Sequence, residues 1–594
     1  MLFPEFERPD WPLLSQVSRP SRYSGSEWRS YKVPDWDDYK SKSNKICFAF
    51  PDVYEIGMSY YGFQILTALA RKNNWLADRA YAPWIDMENL LINKDMPLRS
   101  IEQRRALNEF DVIGFTLQHE TSYTNILSIL NLAKINLRTE DRDENSPIIA
   151  AGGPGALVPE PLAAFIDLFC VGEGEVILPE LFKILENKKD FTRHELLKEC
   201  AKVPGVYVPL IHKNNDIVTR QIVKDFNEAY APESLIVPSV SIVHDRAALE
   251  LFRGCSRGCR FCQAGMVTRP VRERSLDNAK NIILNILDST GWDEVGLLSL
   301  ASCDYSHIES LIDELIDYLN NKKARLSLPS LRMDGFSVGL ADRLLKVKRG
   351  GVTFAPEAGT QRLRDVINKG VDQAAIDSCL NEIFSRGWDR VKLYFMMGLP
   401  TETEEDLNGI IELAKYALKL GRSKGRKRLS VAVSVAGFVP KAHTPFQWER
   451  QNDIAELKDK GRYLKSQIKD KAISLNYHEP EVTFLEGVLS RGDKRTANVI
   501  ERAWRQGARF DSWTETFDLT RWLDAFDYCN LDPLEFTRER GEAEILPWDF
   551  INAGINKNFL LRERHKAYNG ELTRDCKSGC GACGLKEAGL CELD

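Results

Sequence analysis

The sequence predicts an α/β protein: a Rossmann-like doubly wound sheet domain, then a partial (β/α)6 barrel, then a smaller α+β C-terminal domain. Three observations carry this reading. Short apolar runs alternate with amphipathic stretches from Lys45 onward, a second such series begins near Ala247, and beyond residue 451 the chain becomes more helical and more aromatic.

Residues 1–40 are rich in Pro, Trp, Ser and Tyr without a period, and are expected to form an extended arm to which no function is assigned. Over 41–235, KICFAF is expected as a buried strand, Gly62 to Arg71 as a helix, FDVIGFTL as a strand, Thr124 to Ile135 as a helix and PIIAAGG as the next strand. Apolar runs that end in glycine and lead into amphipathic helices suit a parallel sheet covered on both faces. Over 236–451, LELFRG, EVGLLSL, RLSLPSL, GVTFAPEAG, RVKLYFMMGLP and RLSVAVSVAGFVP supply six strands with helical stretches between them. Such a series suits parallel β/α units closing part of a barrel. The stretch 452–570 is expected as the third domain, its tryptophans anchoring a modest core, and 571–594 as a cysteine-rich tail.

A chain of 594 residues exceeds one hydrophobic core, and typical domain sizes suggest roughly three or four domains. Apolar residues at 43% and charged residues at 28% are ordinary for a globular protein, and no apolar run is long enough to span a bilayer. The start, MLFPEFERPDWPLL, lacks the basic and apolar regions of a secretory signal, so a cytoplasmic location is expected. A net charge of −6 provides no general attraction to nucleic acid. Thirteen cysteines in a reducing compartment argue against a disulfide framework, and their bunching at two places argues for metal binding.

The first bunch lies in FRGCSRGCRFCQAG, where Cys255, Cys259 and Cys262 stand at C-x3-C-x2-C spacing directly after an expected barrel strand. Active sites form at that end of a barrel. Three thiolates on a four-iron cluster leave one iron without a protein ligand, and an open metal position is what a catalytic site needs. A structural zinc would want a fourth ligand nearby, and the next cysteine or histidine along the chain is Cys303.

This spacing, with aromatic Phe261 just before the last cysteine, resembles the signature of the radical S-adenosylmethionine (radical SAM) superfamily. The resemblance implies that the free iron of a 4Fe–4S cluster chelates S-adenosylmethionine and that one electron cleaves it to a 5′-deoxyadenosyl radical. The same resemblance assigns further cofactor contacts. Ser302 and Asp304 in SLASCDY lie where the family, usually with Gly-Gly-Glu, meets the methionine amino group. Arg332 in the SLR run from Ser330 lies near the ribose. In APEAGTQRLRDVINKG, which is similar to the corresponding strand end of methylthiotransferases, Glu357 is a cofactor contact with Arg364 and Lys369 as neighbours. Gly398 of GLP matches the adenine-side turn. In FVPKAHTPFQW, which resembles the end of the barrel in several groups, Pro440, Lys441 and His443 are candidate pocket residues, with a turn histidine as the plain alternative.

FAFPDVYEIGMSYYGFQIL resembles the opening of cobalamin-binding domains, whose Asp-x-His-x-x-Gly motif brings a histidine to cobalt. Asp52 and Gly57 match, but the histidine position is Tyr54, and phenol is a poor cobalt ligand beside imidazole. Thr116, the turn at Gly152 and Gly153, and Gly172 complete the likeness, glycines allowing close approach of a large ligand. A domain of this kind before such a barrel resembles the cobalamin-dependent radical SAM enzymes and implies cobalamin binding and methyl transfer. The other reading is a sheet domain that only braces the barrel.

The second bunch, RDCKSGCGACGLKEAGLC, repeats the spacing at Cys576, Cys580 and Cys583 and adds Cys591. Four thiolates make a closed site, either an auxiliary iron–sulfur cluster or a structural zinc. Cys47, Cys170, Cys200, Cys303, Cys379 and Cys529 read as ordinary buried residues. GRSKGRKR at Gly421 to Arg428 reads as a solvated loop on the face away from the active site. Arg495, Arg502, Arg505 and Arg509 read as an exposed basic face of a helix, which would suit an anionic substrate such as RNA or a nucleotide if it bordered the barrel mouth. The resemblance also implies an electron donor such as flavodoxin or ferredoxin, and a second subunit stays open. Two rival readings stand beside cobalamin-dependent methyl transfer: a methylthiotransferase-type RNA-modifying enzyme, and a non-catalytic iron–sulfur electron-transfer protein.

Overall fold

The computed structural model describes residues 11–30, 44–213, 216–232, 235–328, 331–335, 337–347 and 351–591. Of the expected arm, 11–30 fall within these; Ser330 and the last three residues of the tail lie outside them. The chain forms two compact units, one of Met1–Gln221, Tyr230–Asp245 and Asp493–Cys529, the other of Ile222–Ala229, Arg246–Gly492 and Asn530–Asp594.

The first unit is built on a six-stranded sheet: β1 (Lys45–Phe50), β2 (Leu76–Tyr81), β3 (Val112–Thr116), β4 (Ile148–Gly152), β5 (Leu168–Cys170) and β6 (Val206–Tyr207). The order is β2-β1-β3-β4-β5-β6, parallel throughout except for β6. The helices expected over Gly62 to Arg71 and Thr124 to Ile135 run Tyr61–Lys72 and Tyr123–Leu132. Every residue of β1 and β2 is buried, as a parallel sheet requires.

Strand β2 is absent from the expected series because its sequence, LADRAY, is not apolar. Its charges are instead matched one by one. The fully buried Arg79 donates to Glu27 (3.0 and 2.5 Å) and Glu102 (3.2 and 2.6 Å), and Asp78 accepts the backbone N–H groups of Glu102 and Gln103. Burying a charge is tolerable only when partners of this kind surround it. Glu27 comes from the arm, where Glu27–Trp28 pairs antiparallel with Val237–Pro238. The arm thus closes the charged edge of the sheet.

The expected third domain over 452–570 is divided between the two units. Its 493–529 stretch belongs to the first, where the helix Thr496–Arg505 packs on Tyr123–Leu132 through Trp504, whose indole N–H donates to Ser128 Oγ (3.1 Å). A tryptophan that reads as a local core anchor buries itself against a distant part of the chain.

The second unit holds two parallel sheets. One is β7-β8-β9 (Ala247–Glu250, Glu294–Leu298, Arg325–Ser327) and the other β10-β11-β12-β13 (Val352–Glu357, Arg390–Met397, Ser430–Gly437, Ile473–Tyr477). The six expected strands are all present. A seventh, β13, joins them beyond the expected boundary at 451, paired parallel with β12 from Val431↔Ile473 to Val435↔Tyr477. Among the described residues β9 and β10 fall in separate sheets, so the strands form two arcs where a single series of six is expected.

Glu27→Ala removes a carboxylate whose side chain is fully buried beside Arg79, and breaking such a pair costs about 3–5 kcal/mol. The expected outcome is a lower denaturant midpoint for the first unit, with faster hydrogen exchange in 45–50 and 76–81. An unchanged midpoint would show that Glu102 alone satisfies Arg79.

Candidate functional site

Successive strands of the second unit deliver the candidate residues at their carboxyl ends. The triad follows β7, Ser302 and Asp304 follow β8, Arg332 follows β9, Glu357 ends β10 and Gly398 follows β11. This is the end of parallel β/α units at which ligands bind.

The triad loop turns at Gly254, where φ is +94° and a Cβ would come within 2.2 Å of the Pro270 carbonyl oxygen. Cys259 is buried, and Cys255 and Cys262 are half-buried. Cys262 caps the short helix Gln263–Val267, its Sγ accepting the Gly265 N–H at 3.2 Å. Burial first, and then the neighbouring Cys259, raise the Cys255 thiol and push Cys262 up to about 12. The three sulfurs therefore lie within electrostatic reach of one another. A proton is costly to remove there unless a metal replaces it, and coordination deprotonates a thiol outright. Soft thiolates at this spacing suit an iron–sulfur cluster, while among the described residues no three metal-ligating side chains are gathered closely enough to hold a metal ion.

Arginines between and beside the cysteines hold this loop. Arg257 pairs with Asp304 (2.8 Å), Asp334 (2.9 Å) and Asp575 (3.0 Å). Arg260, fully buried, donates to the carbonyls of Val366 (2.9 Å) and Glu571 (2.6 Å) and pairs with Glu563 (3.3 Å). Arg269 donates to the carbonyls of Gly265 (3.1 Å) and Arg257 (2.6 Å). Asn368 bridges the carbonyls of Gly258 and Thr573. None of these four was singled out from sequence. The available signal was the run of arginines inside a cysteine motif that folds too tightly to leave them all in water.

The other candidates separate into two groups. Near the thiols are Lys369, which pairs with Glu357 at 3.1 Å and acts on Cys262, and Arg332, whose charge is sustained by Cys259 and Asp334 against burial. Arg332 is aimed by Asp334 (3.0 Å) and the Lys369 carbonyl (2.8 Å). Glu357 stands at φ +67°, where the pairing of β10 with β11 becomes irregular. In the second group, protein partners occupy the side chain. Ser302 is fully buried and donates to the Leu297 carbonyl (3.3 Å), while Arg257 clamps Asp304 with two hydrogen bonds. Arg364 is buried and donates to the carbonyls of Val371, Gly359 and Ala358, bracing the turn after β10. Phe261 packs on a core that includes Ile367, Leu399 and Phe446. The Gly398 N–H donates to the Glu402 carboxylate, and a Cβ there would meet Asn452 Oδ1 at 2.9 Å.

In the first unit, β1 has β2 on one side and β3 on the other, so the strand order reverses there. Asp52 follows β1, Thr116 ends β3, and Gly152 with Gly153 closes β4, which assembles them at the switch point where doubly wound sheets take ligands. The chain's own side chains also meet at this edge. Trp513 donates to Asp52 (3.1 Å), whose carboxyl burial holds above its ordinary range, and Gln118 donates to Thr116 (2.7 Å). Tyr54 is buried and donates to Glu27 (2.7 Å). Gly57 lets the rings of Tyr81 and Phe50 close in, and Gly172, at φ +125°, lets the Gln221 backbone approach.

The tail cysteines and Cys255 of the triad share one cavity. Its volume is about 740 Å³, and Cys255, Arg269, Cys576, Cys580, Cys583 and Cys591 are among the residues that line it. The basic stripe is partnered: Arg495 pairs with Asp493, Arg505 with Glu501 and Arg509 with Glu88, and Arg502 lies over the Tyr528 ring. No helix among the described residues is long and apolar enough to cross a membrane.

Comparison with known proteins gives two family matches. The model described as radical SAM proteins, N-terminal, matches residues 62–209, and that described as radical SAM superfamily matches residues 249–414. A protein of Methanocaldococcus jannaschii named as uncharacterized is 31% identical over 406 residues, covering 68% of this chain and 82% of its own. The ribosomal protein uS12 methylthiotransferase RimO of Treponema denticola is 22% identical over 331 residues, covering 48% and 67%. Among solved structures, the radical S-adenosylmethionine methyltransferase TsrM from Kitasatospora setae, with cobalamin and an iron–sulfur cluster bound, aligns with a TM-score of 0.47 at 14% identity over 70% of this chain and 78% of its own. The cobalamin-dependent S-adenosylmethionine radical enzyme OxsB aligns with a TM-score of 0.49 at 13% identity, covering 89% and 79%.

Arg257 holds three carboxylates with one guanidinium fork, a geometry that lysine cannot reproduce. Each charge-assisted hydrogen bond lost costs about 1.5–3 kcal/mol. Arg257→Ala and Arg257→Lys are both expected to lower the iron and sulfide retained per chain after anaerobic reconstitution, with the chain still folded by circular dichroism. Full retention by Arg257→Lys would reduce the arginine to a point charge.

Proposed function

The chain belongs to the radical SAM superfamily, and from that premise we propose that it cleaves S-adenosylmethionine reductively at a cluster held by Cys255, Cys259 and Cys262. The observation that carries this reading is the placement of one buried and two half-buried thiols in a single loop at the carboxyl end of a parallel strand, with the cations of Arg332 and Lys369 acting on them. When bound, the cluster and S-adenosylmethionine supply one-electron cleavage of a carbon–sulfur bond and a 5′-deoxyadenosyl radical.

The chain's own residues do the rest. Burial shields Cys259 from water, and the Gly265 N–H supports the charge on the Cys262 sulfur. Arg332 is a donor suited to a carboxylate or ribose oxygen, and the Lys369–Glu357 pair offers both a cation and an acceptor. Ser302 and Asp304 act as positioning residues, since their polar atoms already serve the β8 turn and Arg257.

Cobalamin-dependent methyl transfer is the finer reading for the first unit. It is supported by the gathering of Asp52, Thr116, Gly152 and Gly153 at the sheet's switch point. A lower cobalt ligand from Tyr54 does not fit, because its hydroxyl is committed to Glu27 in a buried network with Arg79. Any cobalamin bound there takes no ligand from this loop. The methylthiotransferase reading draws support from the RimO match but meets an obstacle in this unit. Cys47, Cys170 and Cys200 are scattered along this unit without a ligand spacing, and all three are buried. A supply of electrons from a flavodoxin- or ferredoxin-class donor completes the proposal.

Anaerobic protein given S-adenosylmethionine and dithionite is expected to release 5′-deoxyadenosine, and Cys259→Ala to release no more than a protein-free control. Absence of release by wild type with an intact cluster would end the radical reading. For cobalamin, wild type is expected to retain the cofactor after desalting, and Tyr54→Phe to show the same visible spectrum. Loss of cobalamin from wild type would reduce the first unit to a scaffold, and a changed spectrum in Tyr54→Phe would return Tyr54 to the cobalt.

A further inference from the structure

We propose that the inner face of the β10–β13 sheet binds a small phosphate ester, with Arg390 and Lys392 taking the phosphate and Tyr394, Ser434 and Asn476 the hydroxyl or amide groups of its organic part. The site rests on the reading above only for which end of the bound molecule reacts, and it names the substrate class of that reaction.

The residues of β11 alternate strictly. Val391, Leu393, Phe395 and Met397 are buried, whereas Arg390, Lys392, Tyr394 and Met396 are half-buried or exposed. In a parallel β/α series the helices cover one face of the strands, and the other face turns to the barrel interior. A closed barrel packs that interior with side chains, so an open row there leaves room for something else. Tyr394 is 37% exposed although Leu393 and Phe395 on either side of it are 0% and 1% exposed. The register carries the row sideways, with Lys392 beside Thr353 and Ala432, Tyr394 beside Ser434, and Ser434 beside Asn476. The neighbours on β12 are all small, so the longer side chains of β11 border a shallow trough.

The charge on this face is one-sided. Its one acid is Glu357 at the strand end, and Lys369 pairs with it. Lys392 lies over the Tyr394 ring at 4.5 Å, and among the described residues neither Lys392 nor Arg390 meets a carboxylate. The side chains of Tyr394, Ser434 and Asn476 likewise have no hydrogen-bond partner in the protein. The strands of the other sheet differ, since Arg246 pairs with Glu294 (3.1 Å) and Arg253 with Glu250 (2.9 Å). There the charges hold the fold together, while on β11 no protein group answers them.

These features define the ligand. Residues two apart on a strand stand about 7 Å from one another, so the two cations can share one anionic group. A phosphate monoester carries about −1.5 to −2 charges at neutral pH and satisfies both, whereas a monocarboxylate satisfies one. The phenol, hydroxyl and carboxamide further along are neutral donors and acceptors, which suit hydroxyl or amide groups. Direction follows from Met396, which packs on the same apolar cluster as Phe261 of the triad loop. Lys392 lies about 13 Å back along the strand from Met396, so the phosphate sits at the far end and the organic part extends toward the triad.

The test uses the full chain with its cluster reconstituted anaerobically, S-adenosylmethionine present to fill its own site, and no reductant. Ribose 5-phosphate is the probe, ribose is its uncharged counterpart, and binding is read by calorimetry. Wild type is expected to bind ribose 5-phosphate and not ribose, and to bind it more weakly as salt is raised. Lys392→Met is expected to weaken binding about tenfold or more, through loss of one charge-assisted hydrogen bond, and Lys392→Arg to retain it. Circular dichroism and iron content check that each variant is intact, and if Lys392→Met does not fold, the exposed Arg390→Met takes its place with the same expectation. Failure of wild type to bind ribose 5-phosphate, equal binding of ribose, or binding unmoved by loss of the cation would each overturn the assignment. The radical reading fails separately: no 5′-deoxyadenosine from wild type after dithionite is added would end it, while cation-dependent binding of ribose 5-phosphate would still support the site.

Discussion

The second unit of this protein depends on one constraint: a loop that carries three thiols, one buried and two half-buried, has almost no secondary structure of its own to hold it. Its backbone carbonyls and the carboxylates around it are satisfied by arginine. Arg260 caps the end of the 361–366 helix and reaches the tail, Arg269 closes the loop on itself, and Arg257 draws Asp304, Asp334 and Asp575 together. Each guanidinium offers five donors in a fixed plane, so one side chain can fix several strands of irregular chain at once. The positions of Asp304 and of the tail follow from that arrangement.

The same residues set the charge of the site. Arg332 and Lys369 lie close enough to act on Cys259 and Cys262, and Arg269 acts on Cys255 and on Cys576. Bound thiolates make such a site anionic, and a further electron makes it more so. Fixed cations in a partly buried loop offset that charge without solvent rearrangement. Glu357 moderates the field through its pair with Lys369 while presenting acceptor oxygens at a strand end. Its φ of +67° is costly for a residue with a side chain, and such strain is found where a site requires it.

Much of this was legible in the sequence, for a physical reason that also explains the rest. Strands β1, β3 and β4 and the six strands after Ala247 were legible because apolar runs report burial directly, and the triad because ligand spacing is local. Strand β2 was hidden because Asp78 and Arg79 are buried through pairing with Glu102 and the distant Glu27. The allegiance of 493–529 was hidden for a similar reason. Trp504 and Asp511 find their partners at Ser128 and Thr124, and Trp513 finds Asp52, all hundreds of residues away in sequence. Local pattern cannot report a contact whose second half lies elsewhere in the chain.

The glycines of the sheet domain sharpen that lesson. Read along the chain, Gly57 and Gly172 look like places kept open for a ligand. In the fold, the first admits the rings of Tyr81 and Phe50 and the second the backbone of Gln221, so each is required by packing alone. Tyr54 likewise earns its place through Glu27 and Arg79, without reference to any metal. Asp52 and Thr116, by contrast, stand at the ends of the two strands between which the order reverses. Burial disfavours the charged form of Asp52, which the Trp513 indole and the Val53 N–H bond and on which His119 and Arg22 act in the opposite sense.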